Sequence, residues 1–185
     1  MKLLQNAASR KAVLGKRMLC IDPSSGGLDK HGGRSLAGWA MFYAGKLEAS
    51  GTLSFSEDKA VFKRLRSVKE AVSTIPCVEY VSILVIEDIK GYRAQQSLIQ
   101  SCGIYIDRIE SEEFFQVNVQ TWKSVAKYWG GYVKDDEQDA IYMGYAAVAI
   151  ACGWRASKPK GVTAKEHEAD KQRIIAEAKA IVGAA

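Results

Sequence analysis

No apolar run in this chain reaches the roughly 20 residues that a membrane-spanning helix requires. The longest candidate, Ala146–Gly153, is far too short. The first residues contain no secretory apolar stretch and no cleavage site, so a secretory leader is not expected. Histidine is scarce, with only His31 and His167. The four cysteines, Cys20, Cys77, Cys102 and Cys152, are scattered and form no CxxC pair. That scarcity argues against a zinc site or a disulfide framework, and favours reduced, mostly buried thiols in a cytosolic-type compartment. Three prolines and no low-complexity tract argue against wholesale disorder. Acidic residues are missing from one region, the first 17 positions, which carry Lys2, Arg10, Lys11, Lys16 and Arg17.

The remaining residues balance 21 basic against 21 acidic, so the net charge of +5 belongs to that arm. A basic arm on a neutral body suits contact with phosphates, which makes Arg10, Lys11, Lys16 and Arg17 candidate nucleic-acid contacts. A solvated tail is the plain alternative, and a mitochondrial presequence is a third reading of the same Arg- and Ser-containing, acid-free stretch. With 185 residues and 48% hydrophobic content, the chain is large enough for one compact domain with its own core.

The apolar pattern alternates between strand and helix. Residues 18–22, MLCID, read as a buried strand ending in Asp22. A Gly-rich loop follows at residues 23–33. SLAGWAMFY and KLEASGTLSF then flank Ala44-Gly45 as a hairpin. Val61, Leu65, Val68, Val72 and Ile75 step at helical spacing, with Ser56 as the expected N-cap, Glu57 and Asp58 in the first turn, and Pro76 as the stop. Residues 81–88, VSILVIED, read as a second apolar strand carrying Glu87. A polar helix is expected from Arg93 to Cys102, closed by Gly103. A strand follows at 114–119, then a short helix at 121–129, a helix from 135 to about Cys152, and a charged Ala-rich helix from Thr163 to Val182. The order β-β-β-α-β-α-β-α-α-α suggests an α/β sheet with a leading antiparallel hairpin.

Three of these elements carry an acid at one end: Asp22, Glu87, and the pair Asp136/Asp139. Strand ends of a mostly parallel sheet gather at one edge, where α/β folds place their sites. Buried acids that close repel by about 4 kcal/mol per pair at 4 Å and an effective dielectric of 20. Protons or cations must compensate such a cluster, and an oxygen-only donor set selects a hard cation such as Mg²⁺ or Mn²⁺. On the helix that opens at KDDEQDA, Asp136 and Asp139 continue the stripe of Met143, Ala147 and Ile150. Asp135 occupies the N-cap, with Gln138 completing an Asp-x-x-Gln capping box, and Glu137 is expected to face solvent.

CIDPSS, LVIEDIKG and DEQDAIYMGYAAVA together resemble the three acidic motifs of RuvC-type Holliday junction resolvases, in the ribonuclease H-like superfamily and nearest its phage-encoded or similarly divergent members. The resemblance spans roughly residues 18–153, with the motifs in order, and VNVQTWK resembles the segment before the last of them. It implies a ribonuclease H-like sheet, antiparallel over its first three strands and parallel in the last two, with an additional C-terminal helix. The implied domains are the arm (1–17), the nuclease body (18–153) and a linker with the C-terminal helix (154–185). The implied site is a pair of Mg²⁺ ions, replaceable by Mn²⁺, on Asp22, Glu87, Asp136 and Asp139, with no small-molecule cofactor and no membrane partner. The implied activity is paired nicking of four-way or branched DNA by a homodimer, in the cytoplasm of a bacterial host or, as an alternative, in mitochondria. Lys123 is placed to neutralise the scissile phosphate.

The sequence departs from that pattern in the long Gly-rich loop after Asp22. It also departs after Glu87, where DIKGYRAQQ offers Lys90, Tyr92 and Arg93 as DNA contacts, with Tyr92 able to stack on an unpaired base. The face Lys59, Lys63, Arg66 reads as solvated surface or as a DNA contact. The C-terminal helix is open between packing on the body, dimerising and trailing toward DNA. Two other functions remain open: a ribonuclease H-like enzyme cutting RNA or RNA–DNA hybrids, and a catalytically silent recombination accessory module.

Overall fold

The computed structural model describes residues 13–24, 36–56, 58, 60–88 and 96–183. Within them lie strands β1 (Arg17–Asp22), β2 (Ala37–Tyr43), β3 (Lys46–Leu53), β4 (Ile83–Asp88) and β5 (Glu113–Asn118). The helices are α1 (Val61–Val72), α2 (Gln96–Arg108), α3 (Val119–Trp129), α4 (Asp136–Ala151) and α5 (Ala164–Val182). The strands form one sheet in the order β3-β2-β1-β4-β5. β1 pairs antiparallel with β2 and β2 with β3, whereas β1–β4 and β4–β5 are parallel. This is the mixed sheet the sequence implied.

Alternation along the strands divides the core in two. Met18, Cys20, Ala40, Phe42, Ile83, Val85, Phe115 and Val117 face the layer formed by α3, α4 and α5. Leu19, Ile21, Trp39, Met41, Leu84 and Ile86 face α1 and α2. The sheet is thus covered on both sides, which explains why β1 and β4 read as unbroken apolar runs. The β2–β3 turn has Ala44 at φ 51° and Gly45 at φ 79°, the left-handed pair of a type I′ hairpin turn.

Several local expectations need correction. α1 begins at Val61 with Ala60 as its N-cap, and Ser56 does not cap it. Instead Ser56 Oγ accepts from the Asp58 amide and Asp58 Oδ1 accepts from the Ala60 amide, so these side chains build a turn ahead of the helix. Val61 is consequently exposed, and the buried stripe reduces to Val68 and Val72, with Ile75 beyond the helix. α2 runs through Gly103 to Arg108, because buried Cys102, Tyr105 and Ile109 hold it to the sheet past the glycine. Its expected start at Arg93 falls outside the described residues. Cys77 is exposed and Cys152 half-buried, while Cys20 and Cys102 are buried as expected.

α5 packs on the body. Ile174, Ile175 and Ala178 are buried, Tyr128 Oη on α3 donates to Glu168, and Lys171 lies over the rings of Tyr128 and Trp154. Val13 is fully buried in the same core, while residues 1–12 of the expected arm lie outside the described residues. Among the described residues no helix is long and apolar enough to cross a membrane.

Candidate active site

Strand parity and register create the acidic site. Asp22 follows Met18 and Cys20 on the β1 face toward α4, and Glu87 follows Ile83 and Val85 on the same face of β4. The parallel register pairs Cys20 with Val85 and Ile21 with Ile86, so Asp22 and Glu87 fall side by side one residue further on. Their carboxyl groups interact directly, and the contact raises Asp22 while it lowers Glu87. α4 brings Asp136 and Asp139 to them from its first turn, where Asp135 Oδ1 accepts from the Gln138 amide at 2.7 Å as the expected cap.

The resulting field is strongly acidic. Asp22 keeps some accessible surface, yet burial holds its carboxyl well above the usual carboxylate range, and Glu87, Asp139 and Asp136 push it further the same way. Burial also raises Glu87, against opposing bonds from Trp122 and Asp22. Asp136 is raised by burial and then by Asp139 and Asp135. Asp139 is raised by burial, against the pull of Tyr132 and Lys123. All four carboxyls are therefore shifted in one direction, chiefly by burial, and the pull of Lys123 on Glu87 and Asp139 does not reverse it. Cys102 reaches toward it from the α2 side, but burial and the fields of Glu87 and Asp22 push its thiol up to about 11, so the available donors are oxygens.

Two side chains from the α3 layer hold individual carboxylates. Trp122 Nε1 donates to Glu87 Oε1 at 3.1 Å, and Tyr132 Oη donates to Asp139 Oδ1 at 2.6 Å. Their rings meet edge to face, and the contacts continue through Tyr142 and Tyr145 to Trp129 and Phe42. This aromatic chain ties α3 and α4 to β2 beneath the acids. Lys123 lies over the Trp122 ring at 5.0 Å, and its charge acts on both Glu87 and Asp139. A cleft of about 390 Å³ opens beside it, lined by Lys123, Ala126, Lys127, Gly130, Gly131 and Tyr132. Lys123 and Lys127, one turn apart and exposed, make no ion pair among the described residues.

The first turn of α4 sits very close to the sheet. A Cβ on Gly38 would lie 1.5 Å from the Asp136 carbonyl oxygen, and Gly38 is the β2 partner of Asp22. Glu137, expected in solvent, is half-buried and accepts from Ser50 Oγ of β3 at 2.6 Å, because that close seating turns it onto the sheet.

The expected DNA contacts are dispersed. Lys90, Tyr92, Arg93, Arg10 and Lys11 lie outside the described residues, as does Lys59. Lys16 and Arg17 stand at the opposite end of β1 from Asp22, where Lys16 pairs with Glu112 and Arg17 with Glu48. Lys63 pairs with Asp58 and Arg66 with Glu70, on the α1 side of the sheet, across from the acids. Tyr132, Lys127 and Ser50 gave no sequence signal of their own. Gly38 did, since a glycine inside a strand marks a close backbone approach.

Among the described residues no three Asp, Glu, His or Cys side chains stand close enough to enclose a single cation. The carboxylates form a shared field rather than a finished coordination shell. Their oxygen-only chemistry suits a hard divalent ion, and such an ion would have to draw them together.

No family model and no curated protein sequence matches the chain. Among solved structures, T. thermophilus RuvC in complex with a Holliday junction substrate is similar in fold, with a TM-score of 0.50 and 13% identity. The match covers 73% of this chain and 95% of that one. The fold is therefore ribonuclease H-like.

Proposed function

We propose that the chain is a divalent-cation-dependent endonuclease that cuts branched DNA, with the four-way junction as its preferred substrate and a homodimer as its working form. The observation that carries this reading is the quartet Asp22, Glu87, Asp136 and Asp139 at the carboxyl edge of the sheet, every member pushed toward its protonated form. A silent module has no reason to retain such repulsion. The fold likeness to a protein solved with a Holliday junction supports the choice of DNA.

The quartet would hold the ions, Mg²⁺ or in its place Mn²⁺. When bound, a pair of them supplies an activated water and stabilises the leaving 3′ oxygen. Trp122 and Tyr132 fix the rotamers of Glu87 and Asp139, so the two carboxylates are oriented before substrate arrives. Lys123 offsets negative charge at the same place and, with Lys127, gives the cleft a basic wall for the sugar–phosphate backbone. The Gly130-Gly131 turn closes that wall without side chains, which leaves room for a strand to approach. Action in a bacterial cytoplasm fits this chemistry.

A panel of labelled four-way, three-way, flap and RNA–DNA hybrid substrates, incubated with Mg²⁺, tests the reading. Paired nicks in the four-way junction, absent with EDTA, are the expected result. Preferential cutting of the hybrid would move the protein to the ribonuclease H reading, and no cutting of any substrate would overturn the nuclease assignment.

A further inference from the structure

We infer that Gly38 is a positioning residue that sets the spacing between the two halves of the acidic site. The inference rests on the carboxylate-site reading above. Asp22 and Glu87 come from the sheet, while Asp136 and Asp139 come from α4, so the distance between halves equals the seating of the first turn of α4 on the sheet. Gly38 controls that seating at closest range. It faces Asp22 across the β1–β2 ladder, and a Cβ there would meet Asp136 O at 1.5 Å, Asp136 C at 2.3 Å and Glu137 N at 3.0 Å. These are all backbone atoms, so no side-chain rotation relieves the clash. The described structure fixes Gly38 on the α4 face of β2, the same face as Ala40 and Phe42.

The molecule supplies its own control. Gly144 packs α4 against β2 about two helical turns away, where a Cβ would lie 2.0 Å from the Phe42 ring. Both glycines permit the same helix to approach the same strand, but only Gly38 does so beside the acids. A purely structural role would give both substitutions the same consequences. A second tie acts on the same turn without a steric clash: Ser50 Oγ donates to Glu137 Oε1 at 2.6 Å.

The test compares Gly38→Ala, Gly144→Ala and Ser50→Ala for thermal midpoint, for the Mg²⁺ concentration giving half-maximal nicking, and for amide exchange along α4. Gly38→Ala is expected to raise the half-saturating Mg²⁺ concentration at least tenfold, and Ser50→Ala by a few-fold with little loss of midpoint. Gly144→Ala is expected to lower the midpoint as much as Gly38→Ala and to leave the Mg²⁺ dependence unchanged. Equal Mg²⁺ dependence in Gly38→Ala and Gly144→Ala, or an unchanged dependence in Ser50→Ala should Gly38→Ala not fold, would overturn the inference. If the wild-type protein neither needs Mg²⁺ nor cuts DNA, the metal reading falls by itself, and amide exchange still decides the role of Gly38. In that case the Asp139 amide, bonded to Asp135 O at 2.9 Å, must exchange selectively faster in Ser50→Ala or Gly38→Ala than in Gly144→Ala. Uniform exchange along α4 would refute the positioning role.

Discussion

β1 carries charge at both of its ends, and the two ends treat it in opposite ways. At the Arg17 end each charge has a partner: Lys16 meets Glu112, and Arg17 Nε lies 3.1 Å from Glu48. At the Asp22 end four carboxyls share one field, and Lys123 acts on two of them from α3 without an ion pair to any of them among the described residues. The first arrangement suits a stable surface. The second costs stability and is retained where something else supplies the missing charge. The difference sets paired charge against clustered charge at the two ends of one strand.

The largest effect should follow from removing one charge at the acidic end. Asp22→Asn is expected to lower the Mg²⁺-dependent nicking rate by about 10³-fold or more, since several kcal/mol of transition-state stabilisation depend on the site. The same substitution is expected to raise the thermal midpoint of the metal-free protein near neutral pH, by roughly 2–4 °C per kcal/mol of relieved repulsion. A midpoint that falls instead would make Asp22 a structural residue. Next comes the basic wall. Lys123→Ala combined with Lys127→Ala should weaken junction binding and reduce the salt slope of the binding constant by about 1.8, measured without cleavage in EDTA. An unchanged slope would remove the cleft from the DNA path.

Tyr132→Phe removes the bond to Asp139 and leaves the ring packing in place. Losing a hydrogen bond to a charged group is worth about 1.5–3 kcal/mol, so kcat/KM should fall roughly tenfold to a hundredfold with the fold intact. The smallest effect belongs to the other end of β1. Arg17→Ala should cost at most about 1 kcal/mol in urea unfolding and leave nicking unchanged, because an exposed ion pair contributes little. A loss of nicking there would erase the contrast between the two ends.

The convergence of the four acids was legible in the sequence from where they fall on their elements. Asp22 and Glu87 end apolar runs whose parity sets which face they take, whereas the expected stripe behind Asp136 and Asp139 dissolves into a helix buried on nearly every side, with Ile150 only half-buried. Periodicity also gave the five helices, the Ala44-Gly45 turn gave the hairpin, and the parallel pair was what the family resemblance implied. What escaped was local competition and long-range contact. Ser56 and Asp58 spend their side chains on a turn, so α1 starts later than its apolar spacing suggests. Gly103 did not end α2, because burial of Cys102 and Tyr105 outweighs the cost of roughly 1 kcal/mol for a helical glycine. Glu137 sits against Ser50, 87 positions away in the chain, and Tyr132 meets Asp139 through a loop whose path no pattern encodes.

The measurement that bears most directly on the central claim is the thermal midpoint with and without Mg²⁺ between about pH 5 and pH 8. All four carboxyls have folded-state values raised above their unfolded ones, so at these groups the folded protein holds more protons than the unfolded chain. Their contribution is therefore most favourable at low pH and is lost as pH rises through the raised values. The metal-free midpoint is expected to fall across that range, and Mg²⁺ is expected to restore it at pH 8 while adding little at pH 5. A midpoint that stays flat with pH and is indifferent to Mg²⁺ would contradict the account.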